Sequence, residues 1–308
     1  MQWVELSATA DSYSVDKLAA VMGLFGRGGC AIEEWPPENR QGKNFVVKIF
    51  LPYQRSYKQT RAELESKLSS LSDLVPVQLR ERRFKPQEWI EYLNKYFGLM
   101  EIGERFIIKP SWIKRTPLDS KKILIELDPG EAFGTGLHPT TRLCLLALEK
   151  YLKQGMIVLD LGTGTGILAI AAAKLGAAQV LALDIDPIAI KAARDNIRKN
   201  GVDGCVQVRR GTLSVPFCGK SRHAFDLVLA NITAKTISDY SQSLSLVLKA
   251  GGILAASGIH AEGLDEALIK LALAGFSIRA IDQEREWYGV VAVTGGFTLL
   301  YRQGRKTR

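Results

Sequence analysis

The chain has 308 residues, of which 46% are hydrophobic and 24% are charged, so it is long enough for one large or two ordinary globular domains. Its net charge of +9 fits either an acidic partner such as RNA or a solvated basic surface. Its four cysteines form no CxxC pair, which argues against a disulfide framework or a zinc site. No signal peptide or membrane-spanning apolar run is evident, so we expect a soluble cytoplasmic protein.

Residues 1–85 predict a small α+β domain. WVELSAT, CAIEEW, NFVVKIFLP and VQLRERRF have the character of strands, whereas SVDKLAAVMGLFG and SYKQTRAELESKLSSLS have helical spacing. Their order, β-α-β-β-α-β, is the ferredoxin-like pattern, which is usually a recognition module or a structural appendage. A linker helix is predicted over 86–100, where the chain opens with proline and carries apolar residues at helical spacing.

Residues 101–308 predict a second, larger α/β domain. FIIKPSW and KKILIELDPG are predicted strands, and the apolar strands MIVLDLG, VLALDID, FDLVLANI and GGILAASGI then alternate with helices. A terminal strand pair is predicted around REWYGVVAVTGGFTLLYR. Continuous Val/Ile/Leu strands between helices indicate a parallel sheet covered on both faces, and hence a doubly wound, Rossmann-like fold.

A glycine loop, VLDLGTGTG, lies between a predicted strand and a predicted helix. Gly162, Gly164 and Gly166 stand at every second position, which lets a ligand approach the backbone at a helix N-terminus. The third glycine of the GxGxxG dinucleotide pattern is missing. Asp184 ends the next strand, where a carboxylate can accept both hydroxyl groups of a ribose.

Together with Asp160, this pattern resembles the S-adenosyl-L-methionine site of Rossmann-like methyltransferases. The resemblance implies that this cofactor is used, with Gly162 and its neighbours behind the methionine part and Asp184 on the ribose. Asp186 is interpreted instead as a turn residue that starts the next helix at Pro187.

Asn231 ends the strand FDLVLANI, at the edge of the sheet where doubly wound folds bind ligands. Many amino-group methyltransferases have Asn-Pro-Pro-aromatic at this point, whereas this chain has Asn-Ile-Thr-Ala. An amide oxygen there can hold an amine N–H and aim the nitrogen lone pair at the methyl group. The alternative is that Asn231 is only a polar cap on the strand.

The segment 128–141, DPGEAFGTGLHPTT, resembles the signature of the ribosomal protein L11 methyltransferase (PrmA) family. That family shows DPG, AFGTG and HPTT, then a glycine loop, an acidic strand end and an ANI strand, and all are present here in order. Departures are Glu131, Leu137 and the run Gly-Thr-Gly-Thr in place of Gly-Cys-Gly-Ser. No ligand-contacting glycine is lost, although the first two departures could alter loop closure or acceptor choice.

The resemblance implies methyl transfer to lysine ε-amino groups of large-subunit ribosomal protein L11, with the N-terminal amine as a further candidate. It implies that residues 1–85 recognise this protein. The Cys and His spacing supports no metal site, no membrane or nucleic acid is expected to be required, and a monomer is the default expectation. Asn231 is the expected catalytic residue. The expected cofactor-binding residues are Thr141, Gly162, Gly164, Gly166, Asp184 and Asn231.

Several alternatives stay open at this point. The enzyme could methylate RNA or lysines of another protein, or the chain could bind the cofactor without catalysis. His138 is either a general base or a structural residue next to Pro139, and the structural interpretation is favoured. Phe133 could stack on a ligand or pack within its loop, and Trp287 is expected to be a packing residue.

Overall fold

The computed structural model describes residues 3–26, 30–35, 44–70, 77–85, 88, 99–111, 113, 122–128 and 138–295. The described residues divide into two compact units, the first formed by residues 3–88 and the second by residues 99–295. Within the described residues no helix combines the length and the apolar character needed to cross a membrane.

The N-terminal unit has the predicted ferredoxin-like arrangement. Its strands form one antiparallel sheet in the order β2-β3-β1-β4. The buried side chains of α1 recur three and four residues apart, so one face of this helix packs on the sheet. Its elements are β1 (Trp3–Asp11), α1 (Val15–Gly23), β2 (Ala31–Trp35), β3 (Asn44–Pro52), α2 (Tyr57–Ser69) and β4 (Arg80–Phe84).

The second unit begins with a small three-stranded sheet. It contains β5 (Met100–Ile102), β6 (Phe106–Pro110) and β7 (Ile123–Leu127), in the order β5-β6-β7. Strands β5 and β6 are antiparallel, and β6 and β7 are parallel. Strand β7 leads directly into the segment 128–141.

A seven-stranded sheet forms the centre of the second unit, in the order β10-β9-β8-β11-β12-β14-β13. Strands β8 to β12 pair in parallel, and β14 runs antiparallel to both β12 and β13. Its helices are α3 (Pro139–Tyr151), α4 (Ile167–Lys174), α5 (Pro187–Lys199), α6 (Val215–Lys220), α7 (Ala234–Val247) and α8 (Ala261–Leu273). Its strands are β8 (Ile157–Leu161), β9 (Gln179–Asp184), β10 (Val206–Arg210), β11 (Phe225–Asn231), β12 (Leu248–His260), β13 (Phe276–Glu284) and β14 (Trp287–Thr294).

The prediction of a parallel sheet covered on both faces is confirmed. Successive residues of β8, Val158 and Leu159, belong to different hydrophobic clusters because side chains alternate across a strand. The chain fills one side of the sheet from β8 through β9 to β10, and then crosses back to place β11 on the other side of β8. The strand order therefore reverses between β8 and β11. Ligands of doubly wound folds bind at such a switch point, outside the carboxyl ends of the strands.

Three details differ from the sequence-based prediction. The terminal strand pair is β13 with β14, so it lies earlier in the chain than predicted, and residues 296–302 of the predicted segment lie outside the described residues. Strand β10 and helix α6 were not predicted, because both are short and β10 ends in two exposed arginines. Most of the predicted linker helix lies outside the described residues, but Met100 already belongs to a strand, paired with Ile108.

Candidate active site

The glycine loop lies at the switch point of the seven-stranded sheet, directly after β8. Gly162 has a φ of +75° and Gly166, which begins α4, has a φ of +85°. A Cβ on Gly162 would lie 2.6 Å from Cγ2 of Ile232, and one on Gly166 would lie 3.3 Å from Cα of Ala193. Both the backbone conformation and the neighbouring atoms therefore require glycine here.

Asp184, the predicted ribose ligand, ends β9 next to this loop. Its Oδ2 accepts a hydrogen bond from the Gly164 amide at 2.9 Å, and its Oδ1 accepts one from the Asp186 amide at 3.0 Å. An ionised carboxylate offers about four lone-pair sites, so acceptor capacity remains after these two bonds. Asp186 itself caps α5, accepting from the Ile188 amide at 2.8 Å, in agreement with its predicted turn role.

Asp160 is fully buried beneath the glycine loop. Its Oδ2 accepts hydrogen bonds from the Thr163 hydroxyl at 2.6 Å and the Ala169 amide at 3.1 Å. Its Oδ1 is buried with no hydrogen-bond partner among the described residues. Burial raises the pKa of Asp160 to about 7, against the opposing effect of these two hydrogen bonds. An unsatisfied buried acceptor fits a ligand that brings its own donor.

Asn231 and Thr141 come together although 90 positions separate them. The Asn231 Nδ2 donates to the Thr141 hydroxyl oxygen at 3.3 Å, which joins the end of β11 to the first turn of α3. Thr141 is fully buried, whereas Asn231 is half-buried. Because Nδ2 is engaged by Thr141, the other side-chain atom, Oδ1, is the one left to accept a hydrogen bond from a ligand.

His138 is the N-cap of α3, and its Nδ1 accepts from the Thr140 amide at 3.4 Å and contacts the Thr140 hydroxyl at 2.8 Å. Burial lowers the pKa of His138, and the charges of Glu286 and Glu284 oppose this shift. A neutral ring whose Nδ1 already caps a helix is poorly suited to accept a proton there. The geometry therefore favours the structural interpretation of His138 over the general-base one.

Trp287 lies at the start of β14, between two histidine rings. Its centroid is 4.9 Å from that of His138 and 5.5 Å from that of His260, both in edge-to-face geometry. Through His138, this ring adjoins the same helix end that carries Thr141. Phe133 and the rest of 129–137 lie outside the described residues. Among the described residues no group of His, Cys, Asp and Glu side chains could hold a metal ion.

Comparison with known proteins decides the family. Residues 2–294 match the family described as Ribosomal protein L11 methyltransferase (PrmA). The chain belongs to this family. It is 36% identical to the ribosomal protein L11 methyltransferase of Chloroflexus aurantiacus, over 94% of this chain and 97% of that protein. It is 35% identical to that of Desulforamulus reducens, over 96% of this chain and 100% of the relative.

A solved structure of a ribosomal protein L11 methylase also resembles this chain. The crystal structure of the ribosomal protein L11 methylase from Lactobacillus delbrueckii subsp. bulgaricus is similar with a TM-score of 0.58 and 34% sequence identity. That similarity covers 63% of this chain and 97% of the other chain. As a PrmA-family member, the chain is a methyltransferase whose methyl donor is S-adenosyl-L-methionine.

The residues at the switch point fit the PrmA-family cofactor. S-adenosyl-L-methionine carries an ammonium group, a ribose and a carboxylate. The structure offers an acceptor on Asp160 that has no donor in the described part of the chain, remaining acceptor capacity on Asp184, and a loop in which a Cβ on Gly162 would be obstructed. From the sequence, Asp160 is recognisable only as part of a motif, since burial without a hydrogen-bond partner depends on the folded structure.

The proximity of Trp287 to the predicted site was also missed. The only sequence signal was an aromatic residue on a late strand, and such residues are usually part of a core. Its position beside His138 depends on the antiparallel pairing of β14 with β12, which places Trp287 opposite His260. That pairing is a property of the assembled sheet.

Proposed function

We propose that this chain transfers methyl groups from S-adenosyl-L-methionine to lysine ε-amino groups of ribosomal protein L11, with the N-terminal α-amino group as a second acceptor. The family match supports the acceptor protein. The observation that carries the amine chemistry is the Asn231–Thr141 hydrogen bond, because it engages Nδ2 and leaves Oδ1 as an acceptor at the end of β11.

Cofactor binding is assigned to the carboxyl edge of β8, β9 and β11. In this proposal Asp184 accepts from the ribose hydroxyls, and the glycine loop lies against the methionine part. Thr141 contributes by fixing the Asn231 amide. The residues proposed to bind the cofactor are Thr141, Gly162, Gly164, Gly166, Asp184 and Asn231.

The chemistry requires a neutral amine held in line with the methyl group. When bound, the cofactor supplies an electrophilic methyl carbon, whose bond to sulfur breaks as its bond to the amine nitrogen forms. Asn231 Oδ1 accepts one amine N–H and so aims the nitrogen lone pair along that line. The proton displaced from nitrogen goes to solvent, and activity therefore rises with pH toward the pKa of the acceptor amine.

Recognition of the acceptor protein is assigned to the N-terminal unit. It folds as a ferredoxin-like module, the type of unit that often recognises partners, and its residues carry none of the proposed cofactor contacts. A ribosomal acceptor is consistent with action in the cytoplasm. In this proposal the enzyme acts as a monomer and needs no nucleic acid.

The decisive measurement is the intact mass of purified ribosomal protein L11 after incubation with enzyme and cofactor, with and without nuclease treatment. We expect mass steps of one methyl group each, unchanged by nuclease. Asn231→Ala should reduce the rate about 10²- to 10³-fold, because an oriented polar group at the reacting centre is lost. An unmodified L11 protein, with the cofactor shown to bind, would rule out this acceptor.

A further inference from the structure

Asn196 on α5 bridges two segments of the second unit with a single side chain. Only 2% of it is exposed. Its Nδ2 donates to the carbonyl oxygen of Thr165 at 2.9 Å, and its Oδ1 accepts from the amide of Asp128 at 3.1 Å. Thr165 lies inside the glycine loop, and Asp128 follows β7. The end of the small sheet is thus joined to the glycine loop through one amide group.

An amide is the appropriate group for this position. The backbone N–H of Asp128 is partly buried and the carbonyl of Thr165 is buried, so leaving either without a partner is costly. The planar amide of Asn196 offers one donor and one acceptor to satisfy them at once. A carboxylate could keep only the acceptor, and an apolar side chain could provide neither.

Asn200, one helical turn later, gives an internal comparison. Its Oδ1 accepts from the Glu126 amide at 3.0 Å, and its Nδ2 donates to the Glu126 carbonyl at 2.6 Å. It therefore attaches α5 to β7 as Asn196 does, but its hydrogen bonds do not reach the glycine loop. Lys199 adds an ion pair to Asp128. Of these three neighbours at the C-terminal end of α5, Asn196 is the one that also holds Thr165.

Both residues next to Thr165 make contacts on which the proposed cofactor site depends. The amide of Gly164 donates to Asp184, and the amide of Gly166 donates to the Thr163 carbonyl at 2.9 Å as α4 begins. A shift of the Thr165 carbonyl would disturb both contacts, because each lies one residue away. Fixing that carbonyl fixes the shape of the loop.

We propose that Asn196 is a positioning residue for cofactor binding: by holding the Thr165 carbonyl against the end of β7, it keeps the glycine loop in its binding shape. This inference rests on the proposed function in one respect, namely that the glycine loop holds the cofactor. Asn196 acts through the loop and touches no substrate itself.

The test compares Asn196→Ala with the matched control Asn200→Ala. Calorimetric titration with S-adenosyl-L-methionine should show an affinity about tenfold weaker for the first variant, as expected for an oriented contact that is lost. For the second, affinity should stay within about twofold of the parent chain, because the Asn200 side chain bonds Glu126 and the Asn196 carbonyl but not the glycine loop. Thermal unfolding should show a lowered Tm for both. Hydrogen exchange of residues 160–169 should accelerate only in the Asn196 variant.

Equal cofactor affinities and equal exchange in the two alanine variants would overturn the proposal and leave Asn196 a purely structural residue. If Asn196→Ala does not fold, Asn196→Asp replaces it, since this variant keeps the size and the acceptor but loses the donor to Thr165. The same loss of affinity and faster loop exchange are expected for it. A parent chain that binds no cofactor would refute the proposed function, whereas the exchange comparison would still decide whether Asn196 holds the loop.

Discussion

The two units of this chain differ in where they place their polar side chains. In the N-terminal unit the main polar network is partly exposed: Glu81 accepts from Tyr57 at 2.7 Å, Arg61 at 2.5 Å and Arg83 at 2.8 Å. In the second unit a group of buried polar residues surrounds the carboxyl edge of the large sheet. This group consists of Thr140, Thr141, Asp160, Thr163, Thr165 and Asn196.

The network around Glu81 is typical of a protein surface, whereas the buried polar group at the edge of the large sheet is typical of a functional site. Burying polar groups is costly unless they are paired, and an apolar core would avoid that cost. A cluster of them at the switch point therefore has to be explained by ligand binding or by the precise shape of a loop. The partly exposed network around Glu81 needs no such explanation, because ion pairs near solvent contribute little either way.

The largest effect is expected from Gly162→Ala in the second unit. The variant must accommodate a positive φ and a Cβ that lies 2.6 Å from Cγ2 of Ile232. We expect a loss of about 1–3 kcal/mol in the free energy of unfolding and weaker cofactor binding. Chemical denaturation and calorimetry measure the two. Gly204→Ala is the control, because a Cβ there meets no atom within 4 Å; equal losses in both variants would contradict the prediction.

The next effect tests whether the N-terminal unit recognises the acceptor. Leu24 is 71% exposed and lines a cavity of about 300 Å³ together with Phe25, Leu51 and Tyr57. Leu24→Glu should raise the KM for L11 severalfold and leave the KM for the cofactor unchanged, because a charge replaces apolar contact area. Leu273→Glu, on the second unit and 73% exposed, is the matched control. Equal KM values for L11 in the two variants would show that Leu24 does not contribute to acceptor binding.

A smaller effect concerns the pH dependence of stability through Asp160. Its pKa is about 7 in the folded chain and lies near 3.9 in an unfolded one, so the folded state holds the proton more tightly. This contribution to stability is fully present below about pH 4 and is lost as the pH rises through about 7. Asp160→Asn should therefore flatten the dependence of Tm on pH between these values, in the absence of cofactor. A parallel pair of Tm curves would show that Asp160 does not titrate there.

The smallest effect is expected from Glu81→Gln in the N-terminal unit. Its side chain pairs with Arg61 and Arg83 near the surface, so its loss should cost no more than about 1 kcal/mol of unfolding free energy. Cofactor affinity should not change. Denaturation and calorimetry on the same preparation provide both values. A marked loss of cofactor affinity would contradict the assignment of cofactor binding to the second unit alone.

Most of the helices and strands could be predicted from the sequence, because each is marked by a pattern of apolar and polar residues within its own short segment. Apolar strands such as β8 and β11, and the helix start at Asp186, follow from residues within a few positions of one another. The failures occurred where local pattern is weak. Strand β10 is five residues long and ends in arginines, and β13 was assigned too late because its residues from Arg279 to Glu284 are mainly polar.

The sequence by itself determined the family, the order of the two units and the presence of a glycine loop and an acidic strand end, because each depends on residue type and spacing. Only the tertiary structure decided that Asn231 meets Thr141, that Trp287 adjoins His138, and that Asn196 joins Thr165 to Asp128. These contacts connect distant parts of the chain. The Asn231–Thr141 contact forms at the carboxyl edge of the parallel strands. The Trp287–His138 contact depends on the antiparallel pairing of β14 with β12, and the Asn196 contacts depend on the packing of α5. No short stretch of sequence contains this sheet order and packing.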